Sequence, residues 1–276
     1  YDSGIAGGAQ SLDKLVNKGV KRPGEIIRVL ARLFDLLLPH IWLLPVVTSV
    51  LLVSRGVSLT GTVLLGDVQL SDGAGWLSCS FSFPVGQDWT SDWCLRRPAA
   101  SVILSVHAKT LFFGTFPPIL LNVAMPAISI TFLLVTVRQM GASPVAVALA
   151  APVPLYMALV HGMYFGPEAI ALGLTALSLA FLGRLHGGKR GGLLYTGPLL
   201  IGFAFLARPG NFLLLLAVIL ISVLFAVRDN YRSRAILIVL GSSLAPWLFT
   251  RFLRLFPGLE NAGHSANSAA TLYSLA

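Results

Sequence analysis

The sequence predicts an all-α integral membrane protein of about seven transmembrane helices, with an extracytoplasmic loop that carries juxtamembrane helices. Three observations lead there. Of 276 residues, 55% are hydrophobic and only 11% charged, whereas a soluble domain carries about 25% charged residues. The apolar residues fall in blocks long enough to cross a bilayer, which takes roughly 20 residues per helix, not in the short amphipathic segments of a soluble core. The net charge of +9 comes from lysines and arginines that sit mainly at the ends of those blocks. That is the distribution of a polytopic membrane protein and not a nucleic-acid footprint.

Taken in order, residues 1–35 are mixed and basic, with Lys14, Lys18, Lys21, Arg22, Arg28 and Arg32. They read as a cytoplasmic juxtamembrane segment without a cleavable signal peptide. The chain opens at Tyr1 and stops at Ala276 without a polar tail, so a fragment of a longer protein is expected. A polytopic domain follows over 36–250, beginning with a span at Leu36–Ser54. The polar stretch 55–97 is the longest non-apolar region and is expected to fold as a loop. With the amphipathic stretch Ala99–Leu111 it makes an outer loop over 55–116. Further spans are expected at Pro117–Val137, where Arg138 ends the block, and at Pro144–Val160, Phe165–Leu182, Leu193–Ala207, Asn211–Val227 and Ala235–Thr250. Residues 251–276 begin a further extracytoplasmic segment.

Charge sets the orientation. If seven spans alternate, Lys14–Arg32, Arg138, Arg184–Arg190 and Arg228–Arg234 all fall on one side, which the positive-inside bias makes cytoplasmic. The other side receives the loop 55–97, the turns His161–Pro167 and Arg208-Pro209-Gly210, and the tail from Arg251.

The outer loop holds Asp67, Asp72, Asp88 and Asp92, four of the eleven acidic residues in the chain. Carboxylates just outside a membrane can act as general bases or hold a divalent metal. A solvated acidic loop would look the same.

Motifs distinguish the two. The segment Gly66-Asp67-Val68-Gln69-Leu70-Ser71-Asp72-Gly73-Ala74-Gly75-Trp76-Leu77 resembles the first extracytoplasmic loop of polytopic C-type (GT-C superfamily) glycosyltransferases. These include the dolichyl-phosphate-mannose-protein mannosyltransferases and bacterial relatives. In that superfamily an aspartate shortly after the first span precedes an aromatic residue, and Asp72 and Trp76 fill those places, with tryptophan where the family usually has tyrosine. Cys94-Leu95-Arg96-Arg97-Pro98-Ala99 looks like the arginine-proline opening of the family's juxtamembrane helix. Tyr164-Phe165-Gly166-Pro167-Glu168 resembles the acidic residue that opens its fourth span, and Phe205-Leu206-Ala207-Arg208-Pro209 its arginine-proline at an outer helix end. The terminal Asn267–Tyr273 is similar to a segment that begins the next outer element in bacterial members.

The resemblance implies inverting transfer from a polyprenyl-phosphate sugar donor to a glycan, lipid or protein acceptor, on the outer or lumenal face of a plasma (inner) or endoplasmic reticulum membrane. Asp72 is then the general base, with Asp67 as its competitor. Superfamily members differ in whether a divalent metal takes part. Arg208 and Arg97 would bind the donor phosphate, since a guanidinium offers paired donors to phosphate oxygens. Each also has a bland explanation, Arg208 as a helix-end arginine snorkelling to the interface and Arg97 as an interfacial anchor. Glu168 opens an apolar span, where an acid is costly in lipid and usually faces protein or a cavity, although a helix N-terminus alone would also suit it. His161 and Tyr164 share its turn and line an acceptor cleft or simply sit at the interface, and His264 is a weaker candidate of the same kind.

Cys79 and Cys94 both fall in the outer loop. An oxidising exterior would allow them to pair, but spacing does not decide it. No phosphate-cradling glycine loop, nucleophile elbow or zinc-protease motif is present in the sequence, and no nucleic-acid partner is expected. Pro152, Pro154, Pro198 and Pro246 leave room for a secondary transporter with broken helices. A polysaccharide polymerase or ligase, or a non-catalytic membrane subunit, would be equally rich in apolar helices.

Overall fold

The computed structural model describes residues 23–54, 97–110, 116–163, 166–186, 193–208, 212–228 and 233–255. The described residues are all-helical, without strands. The helices are α1 (Pro23–Leu37), α2 (Leu43–Ser54), α3 (Pro98–Lys109), α4 (Phe116–Gln139) and α5 (Pro144–Ala150), followed by α6 (Pro152–Met163), α7 (Pro167–His186), α8 (Leu193–Ala207), α9 (Phe212–Arg228) and α10 (Ser233–Leu253).

Three of these are long and apolar enough to cross a membrane: Ile119–Gln139 of α4, the joined α5–α6 over Pro144–Met163, and Pro167–Arg184 of α7. A fourth is reached if the bent pair α1–α2 counts as one. At about 1.5 Å rise per residue, the 21 residues of the α4 span match a hydrocarbon core about 30 Å thick. The stretches Tyr195–Ala207 and Leu213–Arg228 are apolar but shorter.

The first apolar block departs from expectation. Instead of one span over Leu36–Ser54, α1 continues to Leu37, a 3-10 turn occupies Leu38–His40, and α2 leaves at 58°. Pro39 is the physical reason, because it cannot donate to the helical ladder and its ring crowds the preceding turn. The prolines of α5–α6 act differently. Ala151 N–H donates to Val147 O and Leu155 N–H to Ala151 O, so the backbone ladder carries through the seam at Pro152. Pro198 and Pro246 likewise lie inside α8 and α10 and do not break them.

α7 is the hub, packing against α4 and α8 and touching α3, α6 and α9. Where lipid offers no hydrophobic gain for helix association, small residues that let backbones approach do the work. A Cβ on Gly162 of α6 would stand 2.6 Å from the Val123 Cα of α4, and one on Gly202 of α8 would meet the Pro246 ring of α10 at 2.8 Å. Two buried hydrogen bonds fix register between helices, Asn122 Nδ2 to Gly162 O at 2.9 Å and Ser178 Oγ to Gly197 O at 2.8 Å.

The bundle has two polar ends. At one, Arg138 donates from Nε and Nη2 to Asp35 Oδ1 and Oδ2 at 2.7 and 2.8 Å, and from Nη1 to Ala142 O at 3.1 Å. Gly141, with φ 102°, turns the chain there, and Ser143 Oγ caps α5 by accepting from Ala146 N–H at 3.1 Å. The candidate site lies at the other end.

Candidate functional site

Three of the residues singled out in the sequence come together. Glu168 stands in the first turn of α7, where Pro167 supplies the fixed φ of a helix start and the helix dipole favours an anion. Its carboxylate folds back over Gly166, where a Cβ would lie 2.6 Å from Oε2. Arg208 follows the last turn of α8, with its N–H still bonded to Ala204 O at 2.9 Å, and Pro209 follows at once, disfavouring a further helical turn. Arg97 immediately precedes α3, and its carbonyl accepts from Ser101 N–H at 3.1 Å.

These three elements converge on one oxygen. Arg208 Nη1 lies 3.1 Å from Glu168 Oε1, and Arg97 Nη1 lies 3.8 Å from the same atom. The first is a charge-assisted hydrogen-bond distance, while the second is a Coulombic contact. The side chains of Arg97, Glu168 and Arg208 are 20%, 30% and 49% exposed, so the cluster sits at the boundary and Arg208 leans outward. Beneath it, Ala100 and Leu104 of α3 pack with Ile170 and Ala171 of α7 and Ala207 of α8. That apolar floor holds the three charged elements in fixed relation. Two guanidiniums about one carboxylate leave a net positive charge, which suits an anionic ligand.

A second polar group lies nearby and was not apparent from sequence. His107 of α3 is 7% exposed and Asn122 of α4 is fully buried. Burial pushes the His107 imidazole below its ordinary pKa, partly opposed by the Asn122 side chain. Asn122 also donates to Gly162 O, so α4 and α6 are tied together at the Glu168 end of the bundle. The only sequence signal was an asparagine and a histidine within apolar stretches.

His161 is half-buried in the last turn of α6, beside Gly162. Asp67, Asp72, Trp76, Cys79, Asp88, Asp92, Cys94, Tyr164 and His264 lie outside the described residues. Among the described residues no three of His, Cys, Asp and Glu come together as a metal site would require. A groove of ≈ 430 Å³ lies elsewhere, between α2 and α6. Its lining of residues such as Phe34, Ile41, Leu44 and Leu155 is apolar apart from Thr48 and the Tyr156 hydroxyl, which makes it unsuited to charge chemistry. No family model, curated protein or solved structure matches the chain.

Proposed function

We propose that the chain is a membrane glycosyltransferase that moves a sugar from a polyprenyl-phosphate donor to an acceptor at the extracytoplasmic face, within a bundle of about seven alternating spans. The observation that carries this reading is the Arg97–Glu168–Arg208 cluster at one end of the bundle. A lipid-linked donor presents its phosphate at that depth while its tail stays in the bilayer. Glu168 orients Arg208, whose half-exposed guanidinium offers several N–H donors to the phosphate oxygens.

In the reaction, the acceptor hydroxyl oxygen bonds to the anomeric carbon as the bond from that carbon to the phosphate oxygen breaks, with inversion. The hydroxyl proton passes to an outer-loop carboxylate, Asp72 or Asp67, and polyprenyl phosphate departs with the bonding electron pair. Arg208 stabilises the charge that develops on that phosphate, an interaction that strengthens toward the transition state.

The test is reconstitution in membranes with a panel of polyprenyl-phosphate sugars, comparing the wild type with Asp72→Asn, Asp67→Asn and Arg208→Gln. Transfer lost in Asp72→Asn alone assigns the base, and loss in Asp67→Asn alone moves it. If no donor releases polyprenyl phosphate while a known transferase does under the same conditions, the reading gives way to a transporter or a non-catalytic membrane subunit.

A further inference from the structure

An acid is an unexpected group at the centre of a site that suits an anion. Glu168 Oε1 lies 3.1 Å from Arg208 Nη1, so any phosphate that Arg208 holds also meets a carboxylate at close range. Arg97 approaches only to 3.8 Å and engages other groups as well, so the charge around Arg208 is set chiefly by Glu168. The pose of that carboxylate depends on a glycine. It folds back over Gly166, where a Cβ would lie 2.6 Å from Oε2. Among the described residues, only the Glu168 carboxylate stands within 4 Å of that Cβ position, so alanine at 166 would displace the acid and leave the main chain where it is.

The two lipids that meet this site in the proposed transfer differ in charge. The donor is a phosphodiester with one negative charge. The carrier left behind is a phosphomonoester, which holds close to two at neutral pH because its second pKa is about 6. Arg208 attracts both, and Glu168 repels both, the monoester more in each case. The acid therefore subtracts more from the affinity of the spent carrier than from that of the donor. With Arg208 49% and Glu168 30% exposed, water screens the repulsion. At roughly 6 Å and an effective dielectric constant of about 40–80, one extra unit of charge changes a binding constant roughly three- to tenfold.

We propose that Glu168 is a charge filter on the phosphate site, which weakens the hold of Arg208 on a phosphomonoester dianion more than its hold on a phosphodiester monoanion, so that the intact donor is retained and the spent carrier leaves. Gly166 is its positioning residue, because the missing side chain makes room for the carboxylate. The identity of the two lipids rests on the proposed transfer, while the charge preference is measured without any turnover.

The test uses the full chain in phosphatidylcholine nanodiscs, well above the second phosphate pKa of about 6. The probes are phytanyl phosphate and phytanyl methyl phosphate, which differ by one methyl group and one charge. Both are supplied at equal concentration, and bound lipid is counted by native mass spectrometry. The ratio of bound monoester to bound diester is read, because a loss of fold or of Arg208 orientation acts on both probes and cancels. Glu168→Gln should raise that ratio roughly three- to tenfold, and Gly166→Ala should raise it in the same direction by displacing the carboxylate. An unchanged ratio in Glu168→Gln overturns the filter. A ratio raised by Glu168→Gln but not by Gly166→Ala overturns the role of the glycine. Arg208→Gln should weaken binding of both probes. If it weakens neither, lipid phosphate does not bind at this cluster, and the transferase reading loses its site together with the filter. If it weakens both while Glu168→Gln leaves the ratio unchanged, the filter alone is lost.

Discussion

Adding one methyl group at Gly162 tests whether α4 and α6 meet as closely as described. A Cβ there would lie 2.6 Å from both Cα and Cγ2 of Val123 and 2.9 Å from Asn122 O. Two of these three obstacles, Val123 Cα and Asn122 O, are main-chain atoms, so rotating the Val123 side chain does not relieve the overlap and the helices must part. Overpacking of that kind costs about 1–3 kcal/mol. Separation also stretches the buried bond from Asn122 Nδ2 to Gly162 O, worth about 1 kcal/mol, while alanine returns about 1 kcal/mol of helix propensity. The net for Gly162→Ala is a loss of about 1–3 kcal/mol. Gly241→Ala in α10 is the matched control, since a Cβ there meets nothing within 4 Å and only the propensity gain of up to about 1 kcal/mol remains. Thermal denaturation in detergent should lower Tm for the first by several degrees, at roughly 2–4 °C per kcal/mol, and leave the second unchanged or raised. A Gly162→Ala protein as stable as the wild type would refute the close approach and the Asn122 register with it.

Three further outcomes are expected. Burial lowers the His107 pKa, so around and below the ordinary imidazole value the folded state binds fewer protons than the unfolded state. Stability therefore falls as pH drops through and below that value. Tm scanned across that window should show the decline, and His107→Gln should flatten it. Arg138→Gln and Asp35→Asn should each change stability by no more than about 1 kcal/mol, because the pair is partly exposed, and a double-mutant cycle on Tm should show coupling of the same size. On the proposed function, Arg208→Gln should lower kcat/KM for a polyprenyl-phosphate donor on the order of tenfold to a hundredfold, the worth of one charged hydrogen bond. Arg208→Lys should recover part of that loss, and a donor-independent effect on Tm would mark the arginine as structural.

The parts of this protein legible in its sequence are those whose physics is local. Apolar blocks announce helices because each residue meets lipid or core on its own account, and arginine-proline at 208–209 announces a helix end because the proline disfavours continuation. Glu168 stood out for the same reason, as an acid at the head of an apolar run. The helix of α1 is also written there, in the spacing of Ile26, Leu30, Leu33 and Leu37, although Arg28 and Arg32 stand between those apolar positions. The division of the first block at Pro39 had its signal in that proline, and a block read only for hydropathy hides it.

What no local reading supplies is which separated residues meet. Arg97, Glu168 and Arg208 each had a bland explanation as interface anchor, helix-dipole acid and snorkelling arginine. Those explanations treat each residue as facing solvent or lipid alone. The shared contact on Glu168 Oε1 replaces three independent accounts with one, because each charge now has a protein partner. A boundary acid that only satisfied its helix dipole would need neither arginine, and two snorkelling arginines would separate to reduce their repulsion. Their convergence depends on Ala100, Leu104, Ile170 and Ala207 packing beneath them, a tertiary fact distributed over three helices. It follows that substituting Leu104 should disturb the charged cluster as surely as substituting Glu168, although nothing about a leucine in an amphipathic helix marks it in the sequence.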